Sequence, residues 1–457
     1  MPVNSLADIF SVHPVPTPEQ ADAVCLRAIR TVYTAERYGA GMDRIQHRAL
    51  STPDSCRPAT LEKRPAIGTA ITAIEQLLAQ PDVERLLSRA SLALADTISL
   101  TTRIAETPAP TGAEGERAAL VAREMTAMRL ADVRVDSVGN ALGCRPGTNR
   151  RAPAVLIAAH TDTVFPAGTN LTVRRTADRL TGAGVGDNSL GVGAMLMVAR
   201  ILDSAGVTTA SDLIFAADVG EEGLGNLVGM RQAVETYRDR LGAVIAVEGH
   251  NLGRVTHRAV GSRRYRLTVR GPGGHSWGNY GRPNAIHILA RLIADLAALP
   301  VPSGPKTSLS VGVIEGGVSV NTIPPIASAL VDLRSISQAQ LERLASQVEK
   351  AVRAIHITDV QVTAEVLGDR PAGEISADAP IVRTCVDALR ALGVAPTLDA
   401  SSTDANVPIG LGIPATCIGI AEGGNAHREE EYVRIPTIPT GIQQLLLVTL
   451  ALAGYEG

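Results

Sequence analysis

Aromatic residues are scarce in this sequence: only 2% of its 457 residues are aromatic, and these include three Phe and one Trp. The core must therefore be built mainly from Ala, Val, Leu and Ile. A platform of aromatic rings on which nucleic-acid bases stack is nearly excluded by the same count. The net charge is only −3. Neither a nucleic acid nor an anionic membrane surface is therefore indicated as a partner.

Paired cysteines and long apolar runs are also lacking. The five cysteines are widely spaced and form no CxxC motif: Cys25, Cys56, Cys144, Cys385 and Cys417. This pattern predicts reduced thiols, a cytoplasmic protein and no cysteine-based metal site. The N-terminus lacks the basic and apolar regions of a signal peptide. The longest apolar runs, such as 445–453, are far shorter than the roughly 20 residues of a membrane helix.

The length exceeds that of one ordinary core and favours two or three domains. Residues 1–85 contain helix-compatible segments around a Pro- and Ser-rich loop, and we interpret them as a helical N-terminal extension without catalytic chemistry. From Val83 onward, apolar residues recur at helical spacing until Pro108 to Gly112 stops the pattern. One helix is expected there.

Four apolar runs predict strands that are buried on both faces of a sheet. They are Ala154 to Ala159, Leu213 to Ala217, Ala243 to Val247 and Pro414 to Ile420. Helical patterns alternate with these runs, which predicts an α/β domain with a mixed, mostly parallel sheet over 86–257 and 372–457. Residues 258–371 show the order β-α-β-β-α-β instead. That order predicts an inserted ferredoxin-like α+β domain.

Histidine and acidic side chains stand where the predicted strands end. His160, Glu222 and Glu248 each follow one of the first three strands, and His427 follows the fourth. Asp187 stands in a Gly-rich turn before a helix, where a carboxylate is favoured. The carboxyl edge of an open α/β sheet is where ligands bind, so we expect these side chains to converge. Two imidazoles and three carboxylates, with Asp187 shared, suit a pair of divalent ions about 3.5–4 Å apart.

Two further acids lie next to the predicted ligands. Asp162 comes two residues after His160 and is placed to orient its imidazole. Glu221 and Glu222 are adjacent, so they point in different directions; one can bind metal while the other acts as a general base. Each short motif alone is an ordinary loop or strand end. Their joint occurrence in this order supports the interpretation as a metal site.

The sequence resembles a known enzyme family over roughly residues 85 to 457. The family is the dinuclear metallopeptidases that include carboxypeptidase G, peptidase T, aminoacylase and succinyl-diaminopimelate desuccinylase. The resemblance is carried by HTDTV (160–164), GAGVGDNSLGVG (182–193), VGEEGLGN (219–226), VEGH (247–250), GGHSWGNYGRPNAI (273–286), SVNTIPPIASALVDLRS (319–335) and GGNAH (423–427).

The resemblance implies a role for each residue of the proposed centre. His160, Asp187 and Glu248 would hold one zinc ion, and Asp187, Glu222 and His427 would hold the other; cobalt and manganese are alternative metals. The resemblance also implies that Glu221 is the general base, that Asp162 supports His160, and that the peptide bond after Asp187 is cis.

The inserted domain would be a lid through which two chains form a homodimer. By the same resemblance, His275 would reach the partner's active site and stabilise the oxyanion of the tetrahedral intermediate. Asn321, Arg334 and Arg370 match positions that bind the substrate's carboxylate or the transition state; a bidentate guanidinium suits that task.

The implied function is metal-dependent hydrolysis of an amide bond in short peptides, by a di- or tripeptidase or a carboxypeptidase-like enzyme. An N-acyl amino acid deacylase with the same centre is the open alternative, because pocket residues come from scattered loops. A non-catalytic binding homologue is a more remote alternative. Such proteins lose ligands or the base, whereas all of them are present here.

Overall fold

The computed structural model describes residues 72–457, so the expected N-terminal extension lies outside the described residues except for its last part. In that part, Ile74–Leu78 and the beginning of Pro81–Leu92 are helical. The side chains of Leu77 and Val83 are buried in the main hydrophobic core. Packing against the rest of the chain therefore begins before residue 85.

Helices cover both faces of the large sheet and one face of the smaller one. They span Ile74–Leu78, Pro81–Leu92, Leu94–Ala105, Gly115–Ala127, Gly191–Ser204, Val228–Tyr237, Ala285–Ala297, Gln338–Arg353, Pro380–Ala391, Asn406–Gly410 and Ile438–Ala453. The single helix expected from Val83 is in fact two helices. The backbone leaves the helical conformation at Ala93, where φ is −78° and ψ is 2°.

The strands are numbered along the chain. They are β1 (Ala131–Val135), β2 (Ala141–Arg145), β3 (Ala154–His160), β4 (Arg174–Arg175), β5 (Arg179–Thr181), β6 (Leu213–Asp218), β7 (Leu241–Leu252), β8 (Arg254–Ala259), β9 (Gly261–Arg270), β10 (Gly274–His275), β11 (Thr307–Gly316), β12 (Thr322–Ile323), β13 (Ile326–Ser335), β14 (Gln361–Arg370), β15 (Gly373–Glu374), β16 (Thr397–Ser401), β17 (Ala415–Gly419), β18 (Gly423–Gly424) and β19 (Tyr432–Arg434).

The large sheet has the order β1-β2-β6-β3-β7-β17-β8-β15, and β16 also pairs with β8. Its four central strands, β6, β3, β7 and β17, run parallel to one another. The outer strands β2 and β8 run antiparallel to their inner neighbours. The predicted α/β fold with a mixed sheet is therefore confirmed.

The core explains why the central strands read as unbroken apolar runs. All residues of β3 are buried. Val155 and Ile157 pack on one face, with the helices Gly191–Ser204 and Ile438–Ala453. Leu156 and Ala158 pack on the other face, in a second cluster. Because successive strand residues face opposite sides, a sheet covered by helices on both faces needs apolar residues at every position.

A second sheet accounts for most of the inserted segment. It has the antiparallel order β11-β13-β9-β14. The helices Ala285–Ala297 and Gln338–Arg353 connect its strands in the predicted order β-α-β-β-α-β. A separate hydrophobic cluster lies between these helices and the sheet, and its buried members come from residues 265–352. This strand order is that of a ferredoxin-like fold.

The cysteines and two apolar helical stretches bear on the expected localisation. Cys385 and Cys417 are free and buried, but Cys144 is disulfide-bonded. The expectation of reduced thiols is thus wrong at Cys144, because spacing along the chain does not report distance in space.

Two helical stretches, Val185–Ser204 and Ile435–Ala453, are long and apolar enough to span a membrane by length and composition, yet most of each stretch is buried within the fold. Their apolar composition is that of core helices.

Several strands bring polar side chains to one edge of the large sheet. β3 ends at His160, which lies beside Asp218, the last residue of β6. β7 continues to Leu252, further than predicted, but its regular pairing with β17 stops at Val247. Glu248 therefore leaves the sheet at the same edge as His160. Parallel strands end together, so residues far apart in sequence meet here.

Candidate metal centre

The first histidine of the centre is buried at the end of β3. His160 Nε2 lies 3.2 Å from Asp187 Oδ1 and 3.8 Å from Glu248 Oε2. Burial lowers the pKa of His160, but hydrogen bonds to Asp162, Asp187 and Glu248 more than offset this and raise it well above its usual value. Two carboxylates thus converge on one imidazole nitrogen.

The second histidine faces the other oxygen of the same aspartate. His427 Nε2 lies 3.1 Å from Asp187 Oδ2 and 3.1 Å from Glu222 Oε1. The two oxygens of Asp187 therefore face different histidines, as a bridging ligand requires. The structure brings together all five predicted ligands.

The donor set fits divalent metal ions. Possible ligand atoms of His160, Asp187 and Glu222 all lie within 4.8 Å of one another. Burial and the charge of Asp187 raise the pKa of Glu222 to about 7. Carboxylates this close repel one another, and divalent cations would relieve that repulsion. Imidazole nitrogen combined with carboxylate oxygen is the ligand chemistry of Zn²⁺ and related ions.

Asp162 supports the centre through more contacts than the sequence indicated. His160 Nδ1 lies 3.2 Å from the main-chain oxygen of Asp162 and 3.4 Å from its Oδ1. The carboxylate also accepts hydrogen bonds from the backbone N–H groups of Glu221 (3.0 Å) and Glu222 (2.9 Å), and from the Thr111 hydroxyl (2.9 Å). Asp162 therefore connects His160 to the loop that carries both glutamates.

Glu221 and Glu222 point in different directions, as adjacent residues should. While Glu222 faces His427, Glu221 Oε1 accepts a hydrogen bond of 2.9 Å from Arg370 Nη1. Burial raises the pKa of Glu221 well above its ordinary value, and the charge of Arg370 partly opposes the shift. A carboxylate with a raised pKa is suited to take up and release a proton near neutral pH.

Arg370 and Arg334 line the same cavity but have different surroundings. Arg370 is buried, and its guanidinium also donates to the main-chain oxygen of Glu221 and to Ser402 Oγ (3.1 Å). Arg334 is half-exposed, and its Nε donates to Asp332 Oδ2 at 2.7 Å. Arg370 is thus engaged with Glu221, whereas Arg334 presents part of its guanidinium to the cavity.

His275 and Asn321 lie next to each other in the inserted segment. His275 is opposite Thr322 in the β10–β12 pair, and Ser276 N donates to the main-chain oxygen of Asn321 at 2.9 Å. Both His275 and Asn321 are exposed. Within the described part of the chain, neither residue is among those that line the metal-centre cavity.

The cavity has a volume of about 610 Å³ and is lined by both the large sheet's edge and the inserted segment. Besides the predicted residues, it contains His250, Arg254 and Arg264, to which the sequence interpretation gave no role. Arg264 donates to the Gly223 carbonyl and to Asp332. The sequence signal for His250 was its place in the VEGH motif, two residues after Glu248; Arg254 and Arg264 had none.

The turn that holds Asp187 has the expected special geometry. The Asp187–Asn188 peptide bond is cis, as the resemblance implied. The buried side chain of Asn188 donates to the Val247 carbonyl at 2.7 Å and accepts from Gly249 N–H at 2.9 Å. These two bonds flank Glu248, so they fasten the turn to the part of β7 that carries Glu248.

Comparisons with known proteins identify the family of the chain. Residues 156–451 match Peptidase family M20/M25/M40. A succinyl-diaminopimelate desuccinylase of Corynebacterium glutamicum is 25% identical over 354 residues, which covers 76% of this chain and 94% of that protein.

Solved structures show the same fold. The aminopeptidase PepT of Bacillus cereus gives a TM-score of 0.64 at 20% identity, covering 79% of this chain and 99% of that one. A tripeptidase of Staphylococcus aureus gives 0.65 at 19% identity, covering 79% and 98%. The expected family is confirmed: the chain belongs to Peptidase family M20/M25/M40, a metal-dependent family, and is a hydrolase of amide bonds.

Proposed function

We propose that this protein cleaves an amide bond of short peptides, with two divalent ions as cofactor and Glu221 as general base. The observation that carries the proposal is the position of Asp187, whose two carboxylate oxygens lie 3.2 and 3.1 Å from two different histidine nitrogens. The fold shared with an aminopeptidase and a tripeptidase supports peptides as substrates.

The ligands divide into two sets around the shared aspartate. His160, Asp187 and Glu248 would hold one ion, while Asp187, Glu222 and His427 would hold the other. Zinc is the first choice, with cobalt or manganese as alternatives. When bound, such ions lower the pKa of water and polarise a carbonyl group.

The chain's own residues then have separate tasks. Glu221 accepts a proton from the attacking water and returns it to the nitrogen of the leaving amine. Arg370 keeps the Glu221 carboxylate in place through its two contacts with that residue. Arg334 and Asn321, together with Arg370, are the proposed residues for the substrate's carboxylate. The inserted segment, 258–371, acts as the lid that brings them to the substrate.

The second candidate function is deacylation of N-acyl amino acids. It is favoured by the similarity to a succinyl-diaminopimelate desuccinylase. Both reactions hydrolyse an amide next to a carboxylate-bearing residue, so the metal ligands and Glu221 serve either one.

A cytoplasmic location is also proposed, from the charge and cysteine pattern of the sequence, although the disulfide of Cys144 does not favour it. Fractionation of the producing cells tests it.

A substrate panel separates the two functions. Zinc- or cobalt-loaded protein is incubated with di- and tripeptides and with N-acetyl and N-succinyl amino acids, and amine release is measured. We expect turnover of the peptides. Hydrolysis confined to the acyl derivatives would replace the peptidase proposal by deacylation, and no hydrolysis of any member would contradict both.

Replacement of the base should remove turnover without removing metal. Glu221→Gln keeps the size and the hydrogen bond to Arg370 but cannot take up a proton. Its kcat is expected to fall by about 10²–10⁴-fold, with unchanged metal content. Elemental analysis and steady-state kinetics measure the two quantities. A near-normal kcat would show that another group is the base.

The two arginines should differ in their kinetic effect. Arg334→Gln is expected to raise KM roughly tenfold or more for substrates with a free carboxylate, and to leave KM unchanged for the matching carboxamides. Arg370→Gln is expected to lower kcat for both kinds of substrate, because Glu221 loses its support, and also to raise KM for substrates with a free carboxylate. Equal losses for acid and carboxamide in the Arg334 variant would remove it from the carboxylate site.

Formation of a homodimer through the inserted segment is proposed as well. β11 is an edge strand of its sheet, and unpaired edge strands readily pair with another chain. Exposed large apolar side chains lie on this strand and in the neighbouring loops: Val313, Ile314, Val318, Val320, Trp277 and Tyr280. A dimer would cover them. It would also give the exposed His275 a place in the partner's active site.

Mixed dimers test this cross-subunit role. Glu221→Gln and His275→Ala are each expected to be nearly inactive. In a heterodimer of the two, one site combines an intact Glu221 with the partner's intact histidine. A one-to-one mixture after subunit exchange should therefore regain roughly a quarter of wild-type activity. No recovery, with heterodimers shown by native mass spectrometry, would place His275 in its own chain's site. A fully active His275→Ala variant would remove His275 from catalysis.

A further inference from the structure

Glu431 is a fully buried carboxylate whose contacts the proposed reaction does not use. It accepts hydrogen bonds from three backbone N–H groups, those of Gly184 (3.1 Å), Gly186 (2.7 Å) and Asp187 (2.6 Å). A carboxylate withdrawn from water requires such partners, and hydrogen bonds to a charged acceptor are stronger than those between neutral groups. Glu431 therefore fixes the backbone of the residue that bridges the two ligand sets.

The fourth partner of this carboxylate is a histidine. His250 Nε2 lies 2.9 Å from Glu431 Oε1, and the His250 side chain is nearly buried. Its ring fills a space that two glycines leave open. A Cβ at Gly186 would come within 2.2 Å of His250 Nε2, and one at Gly423 within 2.4 Å of Nδ1. The ring therefore has little freedom to move away from Glu431.

The pair links three segments that each carry a proposed metal ligand. The turn 184–187 carries Asp187, and its N–H groups bind Glu431. His250 lies two residues after Glu248, on the same strand β7. Glu431 itself lies four residues after His427. The Asn188 side chain also fastens the turn to β7, but its two bonds do not reach the segment of His427.

We propose that Glu431 and His250 are positioning residues that hold Asp187, Glu248 and His427 in a common frame and thereby set the protein's affinity for its metal ions. The proposal rests on the proposed metal centre. Asp187, Glu222 and Glu248 carry like charges, so they would separate if their backbone were free to move. The Glu431–His250 pair resists this separation before any ion binds. Partners behind the ligands of a metal site typically alter metal affinity about 10–100-fold.

The test measures zinc affinity by competition with a chromogenic chelator, at a temperature well below unfolding. Glu431→Gln replaces one accepting oxygen by an NH₂ group, which cannot accept a hydrogen bond from a backbone N–H. Its dissociation constant for zinc is expected to rise about 10–100-fold relative to the wild type. Circular dichroism and the unfolding temperature of the metal-free protein, measured in parallel, report on the fold.

A pair of His250 variants provides a second measurement if Glu431→Gln fails to fold. His250→Gln retains an N–H donor near the position of Nε2, whereas His250→Leu retains only volume. We expect the Gln variant to keep near wild-type zinc affinity and the Leu variant to lose it. If His250 only filled space, the Gln variant would not retain more zinc affinity than the Leu variant.

Asp212→Asn is the matched control. Asp212 is also a buried carboxylate; it accepts the Gly147 N–H at 2.8 Å and pairs with Arg240. It lies just before β6 begins, at the opposite end of that strand from Asp218. Its loss should lower stability and leave zinc affinity unchanged.

The outcomes separate the two proposals. If the wild-type protein binds zinc and the Glu431→Gln and His250→Leu variants bind it equally well, the positioning role alone is overturned. Wild-type protein that binds no zinc would overturn the proposed centre itself. Equal loss of zinc affinity in Asp212→Asn would show that the effect follows from stability and would also overturn the positioning role.

Discussion

The carboxylate of Asp187 lies between two histidines, and much of the surrounding structure serves to keep it there. Three acids and two imidazoles occupy one partly buried edge of the sheet. Without a counter-charge, carboxylates this close repel one another, and the raised pKa of Glu222, about 7, reflects both burial and the charge of Asp187. The protein keeps them together through backbone hydrogen bonds, in which Asp162 and Glu431 accept and the turn and loop N–H groups donate.

The sheet explains how such a site can be assembled from distant parts of the chain. β3 and β6 end at one edge, and the regular pairing of the parallel strand β7 with β17 stops there at Val247. His160, Glu222 and Glu248 therefore reach the same place. The inserted segment returns to this edge through Arg370, whose contacts connect the end of β14 to Glu221, the proposed base. Movement of that segment relative to the sheet would therefore shift the hydrogen bonds that Arg370 makes with Glu221.

Much of this arrangement could be predicted from the sequence. Parallel strands place their carboxyl ends at the same edge of a sheet, and this rule does not depend on the packing of individual side chains. His160, Glu222 and Glu248 follow from this rule, and so does His427 after the fourth strand. Asp187 follows instead from its Gly-rich turn before a helix, and Asp162 from its place two residues after His160. The contacts of Glu431, His250 and Arg370 could not be predicted, since they depend on backbone N–H groups and on loops that approach only in three dimensions. The end of one helix and the disulfide also could not be predicted. The break at Ala93 depends on a single pair of backbone angles, and the disulfide of Cys144 depends on distance in space.

The proposed two-metal centre is tested most directly by anomalous scattering at the zinc absorption edge from crystals grown with zinc. Two peaks about 3.5–4 Å apart are expected on either side of the Asp187 carboxylate. One peak should lie beside His160 and Glu248, and the other beside Glu222 and His427. A single peak, or two peaks that do not share Asp187, would contradict the proposed two-metal centre.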